Sequence, residues 1–193
     1  MSIIAASVST LLLALPLPPL PVISVAIPVA SSPWVTESGD TLLIDTKENV
    51  GYLMHADGRS IDFPVVTGQR RHVYYIGRSY NATTPNWAWR VGDMEIKGDR
   101  VTFGADGRFL RMFKDDKEYT AYGIHEHRDG VEMLERTSME RFRSMGCIIV
   151  HRDIMDILVK TYERNGGIDI LTQHGIDDVR AAYATLQGRG ENM

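Results

Sequence analysis

The chain has 193 residues, 44% of them hydrophobic and 24% charged, which suits one globular domain with appendages. A formal net charge of −4 argues against a nucleic-acid partner, because nucleic acids select basic surfaces. A single cysteine excludes an intrachain disulfide.

Residues 1–33 carry no charged side chain: an apolar run through Leu11, Leu12, Leu13 and Leu15 is followed by Pro16, Pro18, Pro19 and Pro21. Secretory signals have such an apolar core, but also a basic start, which this stretch lacks. The prolines break any helix long enough to span a bilayer. The expectation is an export segment, cut near a small-residue site such as Ser24-Val25-Ala26 or retained as a membrane tether. An apolar leader with no targeting role is the alternative.

The globular part should begin near Trp34, after a Ser31-Ser32-Pro33 linker. Residues 41–46, 50–55 and 61–66 are apolar and β-branched runs, read as strands, with Asp57-Gly58 as a hairpin turn between the last two. Residues 69–81 are basic and aromatic, either a substrate-facing loop or a solvated strand pair. Trp87 and Trp89 alternate as core-facing strand residues do. Residues 91–113 read as two or three strands separated by Gly98-Asp99 and Ala105-Asp106-Gly107, residues 114–118 as a solvated charged turn, and residues 119–124 as the strand that delivers His125. Residues 126–143 have helical spacing at Val131 and Leu134, extending to Met139 and Phe142, which predicts a helix or lid, or else a plain surface connection. Asp153 suits the N-cap of a helix that Gly166-Gly167 stops; a strand at 168–171 and an amphipathic helix at 176–186 end the fold. The pattern divides into a leader at 1–33, a catalytic domain at 34–173 and a C-terminal helix and tail at 174–193. Strand-type runs with turn signals imply a mainly β protein with a few peripheral helices.

The chemistry concentrates between Tyr122 and Asp153. Cys147, the only cysteine, sits beside Gly146, with His125, His127 and His151 near in sequence. A thiol becomes a nucleophile when a base or positive potential favours the thiolate. Acyl transfer also needs oxyanion donors, which backbone amides supply where, as at Gly146, no side chain blocks approach. On a strand His125 and His127 point the same way, so either could reach the thiol.

This window resembles the L,D-transpeptidase catalytic domain, the YkuD-type family of cell-wall cross-linking enzymes. The family pattern is Gly-x-His, a spacer, then Ser/Thr-His-Gly-Cys, a hydrophobic residue and Arg or Asn. Gly123-Ile124-His125 matches the first part; Ser144, Gly146, Cys147 and Ile148 match the second. Met145 stands where the pattern has histidine, and Ile149 where it has Arg or Asn. The order strand, strand, turn, strand, Thr67-Gly68 resembles the start of the same domain, as does Thr84-Pro85. The resemblance implies two packed mixed sheets with peripheral helices, Cys147 as nucleophile, His125 as its base, and Ser144 and Gly146 beside them. It implies peptidoglycan stem peptides as substrate, no cofactor and no metal, and a periplasmic or envelope location. Tyr122 and His127 would line the substrate site, and Arg143 or Arg152 would take a carboxylate in place of the missing motif arginine. Hydrolysis of L,D-carboxypeptidase type, a non-catalytic wall-binding domain, and a metal site built from His125, His127 and Cys147 or His151 remain alternatives.

Overall fold

The structure is a computed structural model that describes residues 34–75, 77–115 and 117–190. The leader expected over residues 1–33 lies outside the described residues. Among the described residues no helix is long and apolar enough to cross a membrane.

In chain order the strands are β1 (Thr41–Asp45), β2 (Val50–Met54), β3 (Ser60–Pro64), β4 (Thr67–Gly68), β5 (His72–Tyr75), β6 (Arg78–Asn81), β7 (Ala88–Ile96), β8 (Arg108–Lys114), β9 (Glu118–His125), β10 (Phe142–Ser144), β11 (Ile148–Ile149) and β12 (Ile168–Gln173). The helices are α1 (Gly130–Leu134), α2 (Arg152–Asn165) and α3 (Val179–Gly190). Eight strands form one mixed sheet in the order β11-β9-β8-β7-β12-β1-β2-β3, and β10-β4 and β5-β6 form two-stranded sheets. The mainly β, mixed-sheet architecture expected from the sequence is therefore present, with its large sheet continuous.

Both faces of the sheet are covered, and the sequence of β1 explains how. Leu42 and Ile44 point into the main core with Phe63, Trp89, Leu110 and Ile124. Leu43 points the other way, into a second cluster under α3 with Ile176, Ala182 and Leu186. Each such buried aliphatic side chain stabilises the fold by about 1.5–3 kcal/mol. Helix α2 closes the main core with Ile154, Met155 and Leu158. Its cap is His151, whose Nδ1 accepts from the Asp153 amide at 3.3 Å, so the helix starts earlier than an Asp153 cap predicts. Gly166, at φ +64°, ends it as expected.

One stretch differs from the sequence reading. Residues 126–143 hold only the five-residue α1, a 3-10 turn at Ser138–Glu140 and β10. Their apolar side chains do not share one face: Leu134 is buried, whereas Val131 and Met139 are exposed. Thr137 and Glu140 form a capping box that starts the 3-10 turn afresh. Residues 91–113 hold two strands, β7 and β8, within the two or three expected, with turns between them where Val101 is exposed.

The ends of the eight-stranded sheet meet. Val66, two residues past β3, bridges Ile149 in β11, and β4 pairs with β10 immediately beside that bridge. The lone cysteine lies at this seam, in the loop between β10 and β11.

Candidate active site

The register of three strands builds the site. Strands β9 and β11 are parallel, with Ile148 beside Ile124 and Ile149 beside His125; one position back, Cys147 falls beside Gly123. Strand β8 continues these rows, Phe109 opposite His125, Leu110 opposite Ile124 and Arg111 opposite Gly123. Side chains alternate across a sheet, so the row Leu110–Ile124–Ile148 faces the main core. The flanking rows, with Phe109, His125 and Ile149 in one and Arg111 and Cys147 in the other, line a cleft of about 690 Å³. Gly123 is required between them, because the Phe109 ring fills the space a Cβ would take.

The Cys147 loop is tied down by short polar contacts. The Ser144 hydroxyl donates to the Cys147 carbonyl at 2.5 Å and accepts from the Gly146 amide at 3.1 Å. The Thr84 hydroxyl donates to the Gly146 carbonyl at 2.8 Å and accepts from the Gly68 amide at 2.9 Å, joining the loop to β4. Gly146 has φ +118°, and a Cβ there would lie 2.6 Å from Cε1 of Tyr122. Ser144 and Gly146 thus fix the shape of the loop.

The sulfur sits on the backbone edge of β9. The Cys147 Sγ faces the Ala121 carbonyl at 3.9 Å, and the Gly123 amide is directed at it from the same edge. Burial pushes the thiol up to about 11, against the pull of the Gly123 amide and of Arg111 and Lys97. No imidazole nitrogen is hydrogen-bonded to the sulfur among the described residues.

The two cleft histidines differ in tautomer. His125 is 4% exposed, and its Nδ1 donates to the Glu126 carbonyl at 2.5 Å, which puts the proton of the neutral ring on Nδ1. Burial lowers its pKa to about 4, offset in part by the backbone groups of Glu126 and Thr102. His127 Nδ1 instead accepts from the Asp129 amide at 3.0 Å, which puts the proton of its neutral ring on Nε2.

Cys147, His125, His127, Tyr122, Ser144 and Arg143 all line the cleft. Arg152 does not: it starts α2 and pairs with Asp106 at 2.9 Å. The motif position at Ile149 is an apolar wall, packed with Val66, Leu134 and Met133. Met145 contacts Gln69 through its sulfur at 3.3 Å. His151 is spent on capping α2, and no group of three potential metal ligands comes together among the described residues.

Sequence reasoning passed over Thr84, Phe109, Lys97 and Arg111. Thr84 was legible only as part of the Thr84-Pro85 match; the other three needed the strand register. The cleft's cations are Arg78, Lys97, Arg111 and Arg143, with no Asp or Glu among its lining residues. Lys97 and Arg111 share Glu95 behind the cleft wall, whereas the guanidinium groups of Arg78 and Arg143 form no ion pair within 4 Å among the described residues, and Arg143 feels Glu140 only at longer range.

Comparison with known proteins gives the same reading. No curated protein sequence matches the chain significantly. Among solved structures, an L,D-transpeptidase from Xylanimonas cellulosilytica is similar at 20% identity and a TM-score of 0.50, covering 72% of this chain and 62% of that one. Bd1075 of Bdellovibrio bacteriovorus is similar at 14% identity and a TM-score of 0.52, covering 80% and 55%. The chain thus spans less than two thirds of either structure, and these likenesses concern the fold. The family model described as YkuD, L,D-transpeptidase catalytic domain, matches residues 39–165, the stretch from the approach to β1 through the end of α2 that carries the cysteine loop, and the chain belongs to that family.

Proposed function

We propose that the protein is an L,D-transpeptidase that acts on peptidoglycan stem peptides through a Cys147 thioester, in the cell envelope, with residues 1–33 as its export leader. The observation that carries this reading is the placement of Cys147 and His125 on the same face of neighbouring strands, in one cleft whose lining charges are all basic. Stem peptides are rich in carboxylates, and Arg78 and Arg143 offer them unpaired guanidinium groups.

The resting pair is a neutral thiol and a neutral imidazole. Attack therefore proceeds by general base catalysis rather than from a preformed ion pair. The His125 Nε2 takes the thiol proton as Sγ bonds to the substrate carbonyl carbon. The Cys147 amide and the Tyr122 hydroxyl receive the oxyanion, since the Gly146 amide is committed to Ser144. The C–N bond breaks, and the leaving amine carries off the proton held by His125. An acceptor amine then attacks the thioester, the C–S bond breaks, and a proton returns to sulfur through His125. Water in place of the amine gives hydrolysis.

Mass spectrometry of the intact protein after exposure to a stem tetrapeptide or a carbapenem tests this. A covalent adduct on Cys147, absent in Cys147→Ala, is expected. A wall-binding domain without turnover is the second reading, favoured by the sulfur's hydrogen bond to Ala121 rather than to an imidazole. Binding to peptidoglycan with no adduct at any pH decides for it.

A further inference from the structure

We infer that Arg111, held in place by Glu95, is the positioning residue that sets the ionisation of the Cys147 thiol. Arg111 stands on β8 opposite Gly123, and the register of β9 and β11 puts Cys147 on the far side of that glycine. Gly123 stands between Arg111 and Cys147 in one row and puts no side chain there; the Phe109 ring lies over it. The guanidinium lies 4.7 Å from the Phe109 ring centre and 4.7 Å from that of Tyr119. Its Nε donates to Glu95 at 2.5 Å and its Nη1 to the Thr120 carbonyl at 2.8 Å.

Arg111 is 6% exposed, so water screens its charge poorly, and the charge acts at longer range than a surface cation's. Glu95 bonds both Arg111 and Lys97, which holds its carboxyl down to about 2 and leaves the trio with one net positive charge. The other ionisable groups around the sulfur are Tyr80 and Tyr122, with Arg78, Arg143, His125 and His127 elsewhere on the cleft wall. Asp93, opposite Arg111 in the β7–β8 register, is exposed. Removing the Arg111 charge should therefore disfavour the thiolate, and removing the Glu95 charge should favour it.

The inference rests on the proposed nucleophile for its catalytic meaning, but its test needs no peptide. The rate of Cys147 alkylation by iodoacetamide is measured from pH 7 to pH 10 in the full chain, where no other thiol competes. The variants are Arg111→Met, Arg111→Lys and Glu95→Gln, each checked by thermal melting. At pH 8 we expect Arg111→Met to slow alkylation about fivefold, Arg111→Lys to recover most of the loss, and Glu95→Gln to accelerate it about threefold, a tenfold change corresponding to one unit in the thiol pKa. Loosened packing alone would accelerate all three, so the opposite directions separate charge from structure. Equal rates in Arg111→Met and the parent, or slowing in Glu95→Gln, overturn the inference. If Arg111→Met does not fold, the direction of Glu95→Gln decides. Opposed alkylation shifts with no peptide or carbapenem adduct would sink the proposed function and leave the ionisation control standing; an adduct without those shifts would do the reverse.

Discussion

The Ser144 hydroxyl is 2.5 Å from the carbonyl of Cys147, the residue three positions on, and also receives the Gly146 amide. Ser144→Ala leaves both backbone groups without their partner. An unpaired buried polar group costs about 1–3 kcal/mol. The expected outcome is a lower melting temperature of that order and an acylation rate of Cys147 reduced about tenfold, because the loop loses the geometry in which the sulfur faces the cleft. Calorimetry and intact-protein mass spectrometry read the two effects separately.

Gly146→Ala should be worse. It places an L side chain at φ +118° and sets its Cβ 2.6 Å from the Tyr122 ring. Backbone strain of this kind costs about 1–3 kcal/mol, before the clash is counted. In a Tyr122→Ala background the clash goes and the backbone cost stays. Melting curves of the single and double variants should therefore show partial, not full, relief.

The buried imidazole makes stability depend on pH. The unfolded chain binds a proton at an ordinary His, near 6.5, whereas folded His125 does so only near 4. Between these values the unfolded state holds more protons, so stability falls as pH drops from 6.5 to 4, by on the order of 3 kcal/mol in all. His125→Phe should flatten the fall in melting temperature over that window. The proposed mechanism uses the neutral ring, so acylation of Cys147 should persist below pH 6.5 and fail near pH 4. The thiol works in the other direction: its folded pKa is raised from 9 to about 11, so stability falls as pH rises across that interval.

Two arginines should separate binding from surface pairing. Arg143 lines the cleft and forms no ion pair among the described residues, whereas Arg152 pairs with Asp106 away from it. Hydrogen bonds to charged groups contribute about 1.5–3 kcal/mol, so Arg143→Ala should raise KM for a stem peptide at least tenfold. Arg152→Ala should leave KM within twofold, as exposed ion pairs contribute about 0–1 kcal/mol. Steady-state kinetics with both variants checks this.

The strands before Gly68 were legible because alternation and β-branched runs are local signals, and β1 is buried on both faces as its unbroken apolar sequence implies. The cysteine loop stood out in the sequence because its lone cysteine follows a glycine within a Gly-x-His and Ser-x-Gly-Cys pattern. The stretch from Glu126 to Arg143 was not: Val131, Leu134 and Met139 fit a helical spacing, but the turn at Thr137 breaks the run before that spacing can bury one face. His151 looked like a candidate base and proved to be a cap, a choice made by the position of one amide. Arg111 was invisible because its partner in function is 36 residues away (147 − 111) and is reached only through the pairing of β8, β9 and β11.

The seam between Val66 and Ile149 ties distant parts of the chain together. These residues are 83 positions apart (149 − 66), and each donates a backbone hydrogen bond of 2.9 Å to the other. Loop-closure cost grows only slowly with length, but contacts between such distant positions are characteristic of slowly folding topologies. The cysteine loop lies between the two pairings that close this seam, β4 with β10 and Val66 with Ile149, so the cleft exists only where the early and late parts of the domain are joined.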